Sequence, residues 1–129
     1  MKEWDVAASP DGKHVLIVDD DRAVLGLVEQ WLTAAGYLVV ACDRFETAKQ
    51  HLSDGAPDIL LTDVRLGAFN GLQLVILAKE QGLHTMALVM SAFDDPTLRK
   101  DAMQCGASYL PKPFSREQVL AAVQAASVA

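Results

Sequence analysis

No apolar run in this chain reaches the roughly 18 residues that a membrane span needs, so no membrane-embedded role is expected. Basic side chains are in deficit: 11 Lys and Arg stand against 17 Asp and Glu, a net charge of −6. A surface of that sign repels a polyanion, so direct binding to nucleic acid is not expected either. Cysteine is scarce, and the two present, Cys42 and Cys105, lack metal-ligand spacing. That usage fits thiols in a reducing compartment and a cytoplasmic protein. The three histidines, His14, His51 and His84, form no ligand pattern. Met1 to Lys13 carries Asp5, Pro10 and Asp11 and lacks the apolar centre of a signal peptide. It reads as a flexible leader, residues 1–13, ahead of a domain over 14–129.

What is present is an alternation of periods. At 129 residues the chain has the size of one domain, large enough to bury a core without metal or disulfide. Val15-Leu16-Ile17-Val18 is a short apolar run stopped by Asp19, Asp20 and Asp21. From Asp21 the apolar residues Val24, Leu25, Val28, Trp31 and Leu32 recur at helical spacing, with Asp21 as cap and Gly36 as stop. A second strand is expected at Tyr37–Ala41, then a helix opened by a capping box of Asp43 and Glu46. Asp58-Ile59-Leu60-Leu61-Thr62-Asp63 reads as a central strand buried on both faces. A loop over Val64 to Asn70 leads to a helix from Gly71. Further strands are expected at Met86–Met90 and Ser108–Leu110, separated by a helix capped by Asp95. Pro111 removes a backbone donor and places the last strand at a sheet edge. Ser115 and Gln118 form a capping box for a final helix that runs to about Ser127. Five strands alternating with five helices, without repeat or linker, make a doubly wound α/β domain around a parallel sheet.

In such folds the carboxyl ends of the strands share one rim, where ligands bind. Asp19 and Asp20 follow the first strand, Asp63 the third, Ser91 the fourth and Lys112 the fifth. Three carboxylates close together need a compensating charge. A hard divalent cation such as Mg²⁺ suits oxygen ligands of this kind, and Lys112 adds a fixed positive charge. Acids, metal, hydroxyl and ammonium together describe a site for a phosphoryl group, with Asp63 as nucleophile. Trp4, in the leader, and Trp31, on the first helix, are expected to lie away from this rim.

The blocks Ile17-Val18-Asp19-Asp20-Asp21, Leu60-Leu61-Thr62-Asp63, Met90-Ser91-Ala92 and Tyr109-Leu110-Pro111-Lys112-Pro113-Phe114 resemble the signature blocks of response-regulator receiver domains, in order and with fitting spacing. The resemblance implies the flavodoxin-like (CheY-like) strand order 2-1-3-4-5, with Cys42 and Cys105 on opposite flanks and no disulfide between them. It implies Asp63 as phosphoacceptor, Asp20 and Asp63 as direct Mg²⁺ ligands, Asp19 acting through a water, and the Arg65 backbone carbonyl as a further ligand. Ser91 takes the place of the switch hydroxyl, Lys112 pairs with a phosphoryl oxygen, Tyr109 is the aromatic switch, and the Lys112-Pro113 bond is cis. The implied partners are a sensor histidine kinase or histidine phosphotransfer protein, and an output domain or protein on the fourth helix, fifth strand and last helix. Such a domain is not an enzyme beyond catalysing its own phosphorylation and dephosphorylation.

Two positions depart from the family pattern. Gly67 stands where the loop after the acceptor usually carries proline, and the last helix has no charge after Glu117. The second departure speaks against a homodimer joined by salt bridges on that surface and leaves other homodimers open.

Three rival functions are weaker. A haloacid-dehalogenase-like phosphatase would follow Asp19 and Asp21 with a threonine, where Ala23 stands. A nucleotide- or flavin-binding protein would want a glycine- or hydroxyl-rich loop after the first strand rather than three acids. A docking module that takes no phosphoryl group would not need Asp19, Asp20, Ser91 and Lys112 together.

Overall fold

The computed structural model describes residues 13–82, 84–92 and 95–127, so the expected leader lies almost wholly outside the described residues. The chain runs β1 (His14–Val18), α1 (Arg22–Ala34), β2 (Leu38–Cys42), α2 (Phe45–Asp54), β3 (Ile59–Asp63), β4 (Arg65–Leu66), β5 (Phe69–Asn70), α3 (Leu72–Glu80), β6 (Met86–Ser91), α4 (Pro96–Gln104), β7 (Ser108–Pro111) and α5 (Arg116–Ser127). Five strands form one parallel sheet in the order β2-β1-β3-β6-β7. Counting the sheet strands alone, this is the expected order 2-1-3-4-5, with Pro111 on an edge strand.

Successive side chains of a strand point to opposite faces, so each apolar strand feeds two cores. Leu16, Val18, Leu60 and Val89 pack with Phe45, Leu52, Leu74 and Ala102 of α2, α3 and α4. Val15, Ile17, Leu61 and Met90 pack on the other face with Val28, Leu32, Val119 and Val123 of α1 and α5. The central strands are therefore buried on both sides, and the sheet can expose polar chemistry only at its ends. Among the described residues no helix is long and apolar enough to cross a membrane.

Most helix starts follow local chemistry. Asp21 accepts from the Ala23 and Val24 amides at 3.0 and 3.4 Å, and Asp95 accepts from Thr97 at 2.9 Å. Ser115 and Gln118 bond reciprocally, at 2.7 and 3.1 Å. The expected Asp43–Glu46 box is absent: Arg44 is the cap residue of α2 and makes no side-chain cap bond. Asp43 instead accepts from the Arg22 guanidinium at 3.0 and 2.9 Å. A charge-assisted bond to a guanidinium is stronger than one to a neutral amide, which explains the preference. The segment expected as a loop after Asp63 contains an antiparallel hairpin, β4 with β5, turned by Gly67 at φ +62. That conformation costs glycine little, whereas proline cannot adopt it. Cys42 ends edge strand β2 and Cys105 is the C-cap residue of α4, which leads into the opposite edge strand β7; no disulfide joins them.

Candidate functional site

Strand ends bring the acids together. Asp19 follows β1, its amide bonded to the Cys42 carbonyl of β2 at 3.1 Å, and it is fully buried. Asp63 closes β3 and is also buried, whereas Asp20 is exposed. Asp19, Asp20 and Asp63 each offer a carboxylate oxygen within 4.8 Å of the others. The Lys112 ammonium, after β7, lies 2.6 Å from Asp19 Oδ2 and 3.6 Å from Asp63 Oδ2. The closer pair is thus Lys112–Asp19. The other Asp19 oxygen, Oδ1, accepts from the Asp21 amide at 2.9 Å, so both oxygens of this buried anion are occupied by donors.

One ammonium cannot offset three carboxylates. Burial pushes the Asp63 carboxyl up from 3.8 to about 6, and the negative charge of Asp19 pushes the same way. Lys112 pulls it back, Asp20 raises it again, and the Val64 amide lowers it slightly. The site is short of positive charge, and its donors are all oxygens. That combination fits a small hard dication such as Mg²⁺.

The remaining expected residues line the same rim. Ser91 ends β6, one place beyond Met90, the register partner of Asp63; it is buried. Its carbonyl accepts from the Lys112 amide at 2.7 Å, tying the hydroxyl-bearing strand to the lysine. The Lys112-Pro113 bond is cis, as the resemblance implied. Tyr109 stands on β7 opposite Val89, half-buried, with the Arg99 guanidinium 4.7 Å from its ring centroid. Arg65 opens the hairpin, and the next turn brings the Gly67 amide 3.4 Å from Asp20 Oδ2.

Two features are invisible in the residue pattern. Gly71 has an ordinary φ of −58, so its backbone would accept any side chain. Its surroundings would not: a methyl group there would overlap the Asp63 carbonyl oxygen and approach Thr62 Oγ1 to 2.8 Å. Gly71 also donates to the Val64 carbonyl at 2.6 Å, closing the base of the hairpin. The Asn70-Gly71 pair signals a turn in sequence, but only the fold reveals that the glycine backs onto Asp63. The second feature concerns Trp31. It lines a cavity of about 350 Å³ whose wall includes Lys112, Pro113 and Phe114. Val24 and Leu27 of α1 line it too, so the first helix and the segment after β7 share one wall; Trp4 lies outside the described residues.

The sheet order and this rim define a doubly wound α/β domain whose chemistry lies at the carboxyl edge. The chain belongs to the response regulator receiver domain family, whose model matches residues 15–124. It is 34% identical over 114 residues to the DNA-binding transcriptional regulator NtrC of Proteus hauseri, covering 88% of this chain and 24% of that protein. It is 37% identical over 114 residues to the response regulator MprA of Mycobacterium ulcerans, covering 87% of this chain and 49% of that one. The chain therefore spans between a quarter and half the length of these relatives. The signal receiver domain of NarL from Mycobacterium tuberculosis superposes with a TM-score of 0.86 at 27% identity, over 92% of this chain and 98% of that one. This is a receiver domain of two-component response regulators, a family whose function is to accept a phosphoryl group and which is not a conventional enzyme family.

Proposed function

We propose that Asp63 is the phosphoacceptor and that the domain catalyses its own phosphorylation and dephosphorylation. The observation that carries this is the placement of Asp63 at the end of the central strand, 3.6 Å from the Lys112 ammonium and grouped with Asp19 and Asp20. An Asp63 carboxylate oxygen attacks phosphorus, a P–O bond forms, and the P–N bond of a phosphohistidine breaks, leaving its electron pair on the imidazole nitrogen. Lys112 shifts from Asp19 towards a phosphoryl oxygen, a movement its present position between the two acids supports. Ser91 donates to a second oxygen. Asp20 and Asp63 would hold Mg²⁺ directly, Asp19 through a water, and the Arg65 carbonyl from the hairpin. When bound, the ion would offset the negative charge that gathers at the rim. Hydrolysis of the acyl phosphate returns the carboxylate.

The donor is a sensor histidine kinase or histidine phosphotransfer protein, and the setting cytoplasmic. The output is a protein or domain that reads α4, β7 and α5. When Ser91 engages the phosphoryl group, space opens near β6 and Tyr109 turns inward, shifting the population between two packings of that surface. On α5, Val119 and Val123 serve the core while Ala121 and Ala125 remain exposed, which supports a contact face; Val128 lies outside the described residues.

Acetyl phosphate or phosphoramidate with Mg²⁺ should add one phosphoryl mass to the wild type and none to Asp63→Asn. Undiminished labelling of that variant overturns the assignment. Mg²⁺ titration followed by NMR should show much weaker binding in Asp20→Ala, and equal affinity would refute the ligand set. With beryllofluoride, amide shifts should extend from Ser91 through Tyr109 into 115–126. Shifts confined to the rim would mean that the switch does not reach this face.

A further inference from the structure

Tyr109 is the point where the core beneath α2, α3 and α4 meets solvent on the α4 side. Its ring packs against the cluster that contains Val89 and Ala102. Above it stands Arg99, an exposed residue in the middle of α4, with the guanidinium carbon 4.7 Å from the ring centroid. A cation over an aromatic face is attracted by the ring quadrupole, and the attraction fades once the ring turns away. The ring cannot rotate towards Ser91 and keep this contact. We infer that Arg99 is a positioning residue for the switch: acting through Tyr109, it holds the unphosphorylated domain in the packing seen here.

This inference rests on the reading of Tyr109 as the side chain that turns on phosphorylation. It adds a cause for the resting position of that side chain and a route to α4. When the ring leaves, α4 loses a contact to β7 and is freer to change its own packing. A ligand that binds only the switched packing has an apparent affinity reduced by the small population of that packing. An exposed cation–π contact biases such an equilibrium by about two- to fivefold. The same factor should therefore appear in the resting population and in the affinity for a phosphoryl mimic.

The test uses protein labelled with 3-fluorotyrosine in a Tyr37→Phe background, which leaves Tyr109 as the sole fluorine reporter. Mg²⁺ and beryllofluoride should move its resonance; a resonance that stays put overturns both the switching ring and the inference. If it moves, Arg99→Gln should raise the resting population of the switched state and the beryllofluoride affinity together, by about two- to fivefold. Arg99→Lys, which keeps the charge, should fall between. Lys100→Gln removes a charge about 100° around the same helix and should change neither quantity. Wild-type values in Arg99→Gln overturn the role of Arg99 while leaving the switching ring intact. An equal gain in Lys100→Gln would trace the effect to surface charge and overturn it as well. A gain in affinity cannot arise from a variant that merely fails to fold.

Discussion

Asp63 stands between two flanks built in different ways. On the hairpin side the contacts are backbone to backbone: Gly71 lies against the Asp63 carbonyl and donates to Val64 at 2.6 Å. On the β6–β7 side the backbone ladder is joined by side chains, with Ser91 at the rim and Tyr109 beneath Arg99. The first flank has no room for even a methyl group at Gly71, so it can only hold Asp63 still. The second adds rotatable groups, the buried Ser91 hydroxyl and the half-buried Tyr109 ring, whose rearrangement costs less than moving backbone. One flank positions Asp63, and under the proposed switch the other reports.

Lys112 ties the second flank to the acids, because its amide bonds Ser91 while its ammonium holds Asp19. Lys112→Met should have the largest effect, since it leaves Asp19 as a buried anion without its counter-charge. A loss of about 3–5 kcal/mol is expected without metal. Saturating Mg²⁺ should raise the melting temperature of this variant more than that of the wild type. An unchanged metal-free melting temperature would show that the pair bears no load. Gly71→Ala breaks the positioning flank alone and should cost about 3 kcal/mol. It should also slow phosphorylation by acetyl phosphate roughly 100-fold, as expected when a reacting group is displaced by about 1 Å. Gly67→Ala is the control: its position is open, and only the left-handed φ of +62 resists a side chain. About 1 kcal/mol is expected there. Equal losses at the two glycines would deny the close approach its special role.

Titration sharpens the same contrast. The Asp63 carboxyl is raised to about 6 in the folded chain, against 3.8 ordinarily. Without metal the folded form therefore keeps a proton that the unfolded chain has lost. The resulting stabilisation is full below about pH 4 and is lost as pH rises through about 6. Metal-free Asp63→Asn should consequently gain on the wild type in melting temperature between pH 4 and 7. A constant gap across that range would refute the raised value. Because a proton competes with the cation, Mg²⁺ affinity should fall about tenfold per pH unit below 6, read by titration at fixed ionic strength.

Fold and rim were largely legible in the residues, for local reasons. Apolar runs ending in acids mark buried strands, and Asp21, Asp95 and Ser115 can be read as caps because their partners lie within three residues. The failures concern partners far along the chain. Asp43 has the spacing of a cap but serves Arg22, 21 residues away, and the cavity shared by Trp31 and Lys112 exists only once the helices pack. Gly71 and Arg99 have ordinary local signatures, and their roles exist only once β3 and β7 are in place. The hairpin escaped notice because two-residue strands are too short for a period-two pattern to register.

The smallest effect is expected at the hairpin tip. Phe69 stacks on Phe45 of α2, with ring centroids 4.5 Å apart and planes 7° from parallel. Phe45 is buried while Phe69 is 40% exposed, so the outer ring covers the inner one without completing a core. Phe69→Ala should cost about 1 kcal/mol, the usual worth of such a pair. The base of the hairpin remains pinned through Gly71 and Val64, so the Asp63 carboxylate should keep its place and phosphorylation should stay within about twofold of wild type. The flanks then differ in how a variant behaves: Phe69→Ala loses stability and leaves the switch equilibrium alone, whereas Arg99→Gln shifts that equilibrium. Thermal melting and acetyl phosphate labelling of the two proteins side by side decide the matter. A tenfold slower phosphorylation in Phe69→Ala would mean that the tip, tied to Asp20 through the Gly67 amide at 3.4 Å, positions the site as much as its base does.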